Sequence, residues 1–411
     1  MAARICISGS GVVSSIGIGK KESLEALLGG TRGIGCPKYL KTSLSQLPVG
    51  EVQLSNPEIK NLLGIPEKEP LPRTSLLAML AVKEALEEAG DLGPGRRAFL
   101  SGTTVGGMDL SEQTLLDGAD DKGKKFTCGD STDVVARYFG GFSLVSTPST
   151  ACSSAANGLI LGARLLQAGL CEVVVAGGAE SLSRFHLNGF NALMIVDKEP
   201  CRPFDATRAG LNLGEGAGYL VLETQEHALG RGAKPLAYLD GWGNACDAYH
   251  QTASSPEGNG AYDAMSQALK TAGLQPSDID YVNAHGTGTP NNDASESAAL
   301  RRLFGEQLPP ISSTKALTGH TTSASGSIEA VFCLLALQHG FIPAQVGWTT
   351  PDPDCILPFV PGIDGAQRRR GPGGLVPQLS KDMGKAHLQN VLCNAFGFGG
   401  NDSSLLISKA L

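Results

Sequence analysis

The chain has 411 residues, 41% of them hydrophobic and 18% charged, which is enough apolar material for a large layered core or for more than one domain. A formal charge of −7 argues against a nucleic-acid partner, and no apolar run approaches the roughly 18 residues that a membrane span needs. The start Met1-Ala2-Ala3-Arg4-Ile5-Cys6 lacks the architecture of a signal peptide, so the expected location is the cytoplasm.

In chain order, the pattern predicts a strand over 4–7, an amphipathic helix over 76–88, a strand over 141–147 and a helix over 153–166. Strands over 172–176 and 218–223 follow, then a helix over 260–272, an extended segment over 281–284 and a helix over 325–339. The chain closes with hairpin strands over 391–394 and 404–408 around a Gly-rich turn. Such alternation implies an α/β fold with largely buried sheets. The segment 118–125, with Asp120, Asp121, Lys122, Lys124 and Lys125, reads as an exposed loop.

On the helix over 153–166, Ala155, Gly158 and Gly162 share one face, where small side chains admit a second backbone; that helix is expected to be buried. The run from Ser146 to Cys152 leads into this helix, and the run from Ser312 to His320 leads into another small-residue helix. A duplicated fold would explain the echo.

The ten cysteines include no C-x-x-C pair and no Cys/His cluster at ligand spacing, so neither a metal site nor a disulfide framework is expected. Most read as buried small hydrophobes. Cys152 differs. In Ser149-Thr150-Ala151-Cys152-Ser153-Ser154 it lies where a strand turns into a helix, and unpaired N–H groups with the helix dipole there favour a thiolate and a developing oxyanion.

Four more segments place polar or Gly-rich turns after extended runs: Asn283 to Pro290, Ser313 to His320, the helix bearing Glu329, and Asn394 to Asn401. Singly they are modest signals. A histidine after a strand, such as His285, often serves structure, Lys315 could be a solvated charge, and the glycines around Phe396 and Phe398 could simply shape a hairpin. No G-x-S-x-G elbow supports a hydrolase, and neither a P-loop nor a complete dinucleotide fingerprint is present.

Together the five segments resemble the β-ketoacyl-acyl carrier protein synthases, decarboxylating condensing enzymes of the thiolase superfamily. The resemblance rests on Thr150-Ala151-Cys152-Ser153-Ser154-Ala155, the H-G-T-x-T-P turn from His285, Lys315-Ala316-Leu317-Thr318-Gly319-His320, Glu329 and the turn Asn394-Ala395-Phe396-Gly397-Phe398-Gly399-Gly400-Asn401. It extends through Arg202-Pro203-Phe204-Asp205 and Leu213-Gly214-Glu215-Gly216-Ala217-Gly218, and the Cys-His-His set is that of the elongating branch. Pro290-Asn291-Asn292-Asp293 and Thr321-Thr322-Ser323-Ala324-Ser325 depart from the commonest elongating pattern, which leaves room for polyene or other specialised acyl chains besides fatty acids.

The resemblance implies a five-layer αβαβα thiolase-like fold with internal duplication, its first half, 1–250, holding the nucleophile and its second, 251–411, holding both histidines and the Gly-rich turn. It implies Cys152 as acyl-holding nucleophile, backbone N–H groups of Cys152 and Phe398 as the oxyanion hole, and His285 and His320 as donors to a malonyl thioester oxygen. Lys315 and Glu329 would balance charge. Thr287 and Thr289 would meet the phosphopantetheine arm, although turn capping fits them equally well. Phe396 and Phe398 would border the substrate, and Phe398 is also read as a gate with core packing as its other reading. No dissociable cofactor or metal is implied; acyl carrier protein brings the phosphopantetheine. A homodimer is expected, with a heterodimer possible, and a non-catalytic chain-length-setting subunit of the same fold is the alternative function.

Overall fold

The computed structural model describes residues 3–116, 127–361 and 386–410, so the expected loop over 118–125 lies outside the described residues. Strand β1 (Ile5–Ser14) is buried along its whole length. It is followed in the sheet's first half by β2 (Arg97–Gly102), β3 (Leu144–Ser146), β4 (Val173–Glu180) and β5 (Gly216–Thr224). The second half holds β6 (Ala237–Cys246), β7 (Tyr281–Asn283), β8 (Ile311–Ser312), β9 (Asn390–Gly397) and β10 (Asn401–Lys409). These strands form one eleven-stranded sheet in the order β8-β7-β9-β10-β6-β1-β5-β4-β2-β3, with Gly17–Ile18 pairing to the end of β1.

From the β1/β6 seam outward, each half runs first, fifth, fourth, second, third. The directions repeat too. First and fifth, then fifth and fourth, pair antiparallel; fourth, second and third pair parallel. This is the duplication that the echo at 146–152 and 312–320 signalled, since both runs leave the third strand of their repeat. The halves meet edge to edge through only Ile5↔Leu239, Cys6↔Tyr238 and Ile7↔Ala237. The second repeat therefore starts with β6, ahead of the boundary expected at 250.

The helices that position the site are α1 (Arg73–Ala89), α2 (Ser154–Gln167), α3 (Arg184–Ala192), α4 (Asn259–Ala272), α5 (Pro290–Phe304) and α6 (Ser325–His339). Helix α1 packs on β1 and β5, and α4 on β6 and β10, while α2 and α6 touch each other and strands of both halves. The alternation of strand side chains supplies two faces. On β5, Tyr219 and Val221 face the α1 core, and Leu220 and Leu222 face the central one. The result is the five-layer, thiolase-like arrangement. Helix α6 has no polar stripe because it is buried at every position from Ser325 to Leu337.

The small-residue face of α2 packs as expected. A Cβ on Gly162 would lie 3.0 Å from Val174, and the Ala155 methyl occupies the space over Gly178. The strand expected over 141–147 shortens to β3 because Gly140 and Gly141 both take positive φ, which bends the chain before pairing starts. The final hairpin is present, closing at Gly397↔Asn401.

At Gly102 an added Cβ would sit 2.6 Å from the backbone of Ser154 and Ala155. Gly102→Ala is expected to destabilise the protein by about 1–3 kcal/mol, since backbone must move to admit the methyl. Gly189→Ala, on α3 with nothing within 4 Å, should be neutral or slightly stabilising. Denaturant midpoints check both; equal midpoints would contradict the tight approach of α2 to β2.

Candidate active site

The nucleophile turn is strained and braced. Ala151 takes φ 53°, a left-handed conformation that costs a non-glycine residue about 1 kcal/mol or more. Ser154 Oγ donates to the Ala151 carbonyl at 2.6 Å and accepts from the Thr150 N–H at 2.9 Å, and Ser153 Oγ donates to the Thr150 carbonyl at 2.7 Å. The serines after Cys152 therefore hold the bend that places its thiol just ahead of α2.

Cys152 is 5% exposed. The backbone N–H groups of Phe398 and of Cys152 itself both act on its sulfur, the pair expected as oxyanion donors. The expected bias toward a thiolate is outweighed. Burial pushes the thiol up to about 11, against the opposing pull of Lys315 and the Phe398 N–H. The Phe398 turn needs its glycines, because Gly399 and Gly400 take φ 82° and 76°, and a Cβ on Gly400 would meet Asp247 at 2.7 Å. Gly399 N–H donates to the Gln251 carbonyl and Asp247 N–H to the Gly400 carbonyl, both at 2.8 Å, which fixes the turn.

His285 follows β7. Its N–H and that of Gly286 donate to the carboxylate of Glu296 on α5, at 2.9 and 2.8 Å, and Asn394 Nδ2 donates to the same carboxylate at 3.1 Å. Burial raises Glu296 to about 7. Glu296, on a helix that the sequence reading did not predict, carried no signal there.

His320 is held by the other repeat: its N–H donates to the Asn212 carbonyl at 2.7 Å, and its carbonyl accepts from Gly214 N–H at 2.9 Å. The Thr322 N–H points to His320 Nδ1 at 3.2 Å, which makes Nδ1 an acceptor and leaves the proton of the neutral ring on Nε2. Thr322 pays for that contact with φ 45°. Buried Glu180, at the end of β4, accepts from Ser323, Thr103 and the Thr104 N–H, binding the turn after His320 to the first repeat. Sequence reading missed Glu180 and Thr322 as well.

The rings of His285 and His320 meet edge to face, centroids 5.2 Å apart, and Phe396 lies 5.8 Å from His285. Both histidines are held well below the usual imidazole range, first by burial and next by Lys315. Lys315, 1% exposed, pairs with Glu329 Oε1 on α6 at 2.6 Å. Burial raises Glu329 to about 7 despite that partner.

A cavity of about 330 Å³ opens on Cys152, His285, His320, Thr287, Thr289, Phe396 and Phe398, so these expected residues converge. Phe190 and Leu211 add apolar wall that the sequence did not mark. Thr287 and Thr289 bond each other at 2.9 Å, so they cap their own turn while lining the cavity. Phe398 stacks on Phe190 at 5.8 Å. A larger cavity of about 550 Å³, lined by Tyr39, Asp109 and Arg184, contains none of these groups.

Cys152 Sγ and one nitrogen of each histidine lie within 4.8 Å of one another, the one such Cys/His/carboxylate group among the described residues. No ligand-type spacing gathers the set, since its members come from three separate turns; the resemblance alone had joined them. The Lys315 ammonium acts on all three groups and opposes a divalent cation among them.

Two fused α/β repeats that bring a cysteine and two histidines to one cavity define a condensing enzyme of the thiolase-like class. The chain belongs to the β-ketoacyl synthase family: residues 2–228 match the N-terminal domain of beta-ketoacyl synthase and residues 236–349 its C-terminal domain. It is 32% identical to 3-oxoacyl-[acyl-carrier-protein] synthase 2 of Synechocystis sp. and 31% identical to that of Staphylococcus aureus, covering 99% of this chain and 98% of each relative. Among solved structures, it is similar to the ishigamide ketosynthase/chain length factor, with TM-score 0.87, 30% identity and full coverage of both chains. A type II polyketide synthase acyl-carrier protein in complex with its ketosynthase bound to the hexaketide gives TM-score 0.84 at 25% identity, again over both full chains.

Removing one partner of the buried ion pair strands the other charge, so Lys315→Met and Glu329→Leu should each destabilise by about 3–5 kcal/mol. The double variant should recover much of that loss; additive losses in denaturant titrations would deny the coupling. In ¹⁵N-imidazole NMR, both site histidines should remain neutral as pH falls through 6.5, with His320 protonated on Nε2, because their lowered folded values keep the neutral form below that pH. A ring titrating near 6.5 would overturn this electrostatic picture.

Proposed function

We propose that the chain catalyses the decarboxylative Claisen condensation of an acyl group on Cys152 with malonyl-acyl carrier protein, giving 3-oxoacyl-acyl carrier protein and CO₂. The observation that supports it best is the convergence of one thiol, two neutral imidazoles and two backbone N–H groups on a single cavity.

In the first half-reaction, Cys152 sulfur attacks the acyl thioester, and the carrier thiol leaves with the proton that Cys152 gives up. The tetrahedral oxyanion lies against the N–H groups of Cys152 and Phe398, where one fixed donor is worth about 2.7–4 kcal/mol. Covalent storage separates acyl loading from carbon–carbon bond formation. The high pKa of the buried thiol fits a site where proton loss accompanies attack on a bound thioester.

In the second half-reaction, the malonyl thioester oxygen takes hydrogen bonds from His285 and His320. Loss of CO₂ moves the carbon–carbon electron pair into an enolate, and its carbon attacks the acyl carbonyl while Cys152 thiolate departs. Two neutral donors suit this step, because they stabilise new negative charge without giving their protons away as an imidazolium would. Lys315 and Glu329 set the charge around the histidines and stay off the substrate. Thr287 and Thr289 line the approach of the phosphopantetheine, which arrives on acyl carrier protein; no resident metal or dissociable cofactor takes part.

The protein acts in the cytoplasm as a homodimer, or as a heterodimer with a chain-length partner, and elongates a fatty acyl or polyene/polyketide-type chain. A non-catalytic partner subunit is the second reading, kept because solved relatives include ketosynthases with chain length factors. Retention of Cys152 and both histidines weighs against it.

Intact mass after incubation with acyl carrier thioesters separates the readings. Wild type should gain one acyl group and Cys152→Ala none; an unlabelled wild type would favour the partner subunit. His285→Ala and His320→Ala should still acylate while losing about 10²–10³-fold in malonyl decarboxylation, and normal condensation by either would remove that histidine from the mechanism.

A further inference from the structure

The turn that carries the Phe398 N–H is held between two acids. Asp402, near the start of β10, pairs in the sheet with Phe396 on β9 and Ala245 on β6 and is 3% exposed. The Gly397 N–H, one residue before Phe398, acts on its carboxyl. Gly397 in turn lies against the nucleophile, since a Cβ there would come 3.3 Å from the Cys152 nitrogen. Asp247, just past β6, grips the other end of the turn: its N–H donates to the Gly400 carbonyl at 2.8 Å, and its own Cβ leaves Gly400 no room for one.

The two acid side chains share one corner. A Cβ on Gly260 of α4 would clash with Asp402 Oδ2 and lie 2.9 Å from Asp247 Cβ. Asp247 Oδ2 accepts the Ser255 N–H at 2.7 Å, whereas its buried Oδ1 has no donor among the described residues. A second negative charge here would therefore face a carboxylate that already lacks one of its donors. The charges acting on Asp402 are negative, Asp247 first and then Glu296 on α5; Phe396, Ala245 and Gly260 bring no titratable group to it from β9, β6 and α4. Burial, with those two carboxylates behind it, raises Asp402 to about 7, so below neutral pH it keeps its proton.

We propose that Asp402 is a positioning residue for acyl transfer: as a neutral acid it keeps the turn seated with the Phe398 N–H at the Cys152 sulfur, and once ionised it stands against Asp247 and displaces that turn. The inference rests on the condensing-enzyme reading and adds a proton that its oxyanion hole depends on.

The test follows initial rates of Cys152 acylation by an acetyl carrier thioester, read by intact mass, in full-length wild type and Asp402→Asn from about pH 6 to about pH 9, each rate referred to the same protein's rate at about pH 6. Asparagine keeps the shape of the neutral acid and carries no charge, and titration of the thiol and of Glu296 is common to both proteins. Wild type should fall behind Asp402→Asn by up to about tenfold per pH unit above about 7. Parallel profiles would overturn the proposal, as would a wild-type rate that keeps climbing with the thiolate to about pH 9, a result that needs no folded variant. Denaturant midpoints give a readout without substrate. Asp402→Asn should gain on wild type as pH rises from about 4 to about 7, because over that window the folded wild type keeps a proton that the unfolded chain has lost. A constant difference would also overturn the proposal. If neither protein acylates at any pH, the condensing-enzyme reading falls and the positioning role with it, while the midpoints still report the proton on Asp402.

Discussion

One buried ammonium governs the electrostatics of this site. Lys315, against Glu329 at 2.6 Å and almost entirely shielded from water, sends its field into Cys152, His285 and His320. It adds to the burial that holds both imidazoles neutral, and it opposes, without cancelling, the burial that raises the thiol. The lysine needs Glu329 because a lone charge at that depth would be costly. Glu329 in turn requires α6 to run through the centre of the molecule, where an otherwise apolar helix can present one carboxylate. The five-layer arrangement meets that demand, because α6 is covered by strands from both halves of the sheet.

The two repeats are not separate halves of the chemistry. The first supplies the nucleophile, and its segment 212–214 also holds the second repeat's His320 in place. Glu180 at the end of β4 reaches across to the turn after His320. The second repeat returns the Phe398 N–H to the first repeat's cysteine. A boundary drawn in sequence separates groups that act as one, and a seam of three residue pairs understates how firmly the halves are tied.

Much of the site was legible because its chemistry sits in local runs. A cysteine at a strand-to-helix turn, a histidine between small residues and a Gly-rich hairpin each carry their geometry in adjacent residues, and the resemblance joined them. What stayed hidden depends on distance along the chain. Glu296 looks like any glutamate in a helix until α5 packs its carboxylate under the His285 backbone. Thr322 looks like a turn residue until its N–H fixes the tautomer of His320. Phe190 belongs to a helix whose sequence gives no sign of a cavity wall. In the fold, the helices over 76–88, 153–166, 260–272 and 325–339 were read within a few residues of their ends, α5 was not read at all, and the strand at 141–147 was overread because paired glycines imitate an extended start.

Phe398 supplies a backbone N–H beside the Cys152 sulfur, and its side chain stacks on Phe190 at the cavity wall. One residue thus occupies two stations. Any displacement of the turn that parted the two rings would also shift the N–H from the sulfur, so one stretch of backbone sets both the cavity wall and a donor to the thiol.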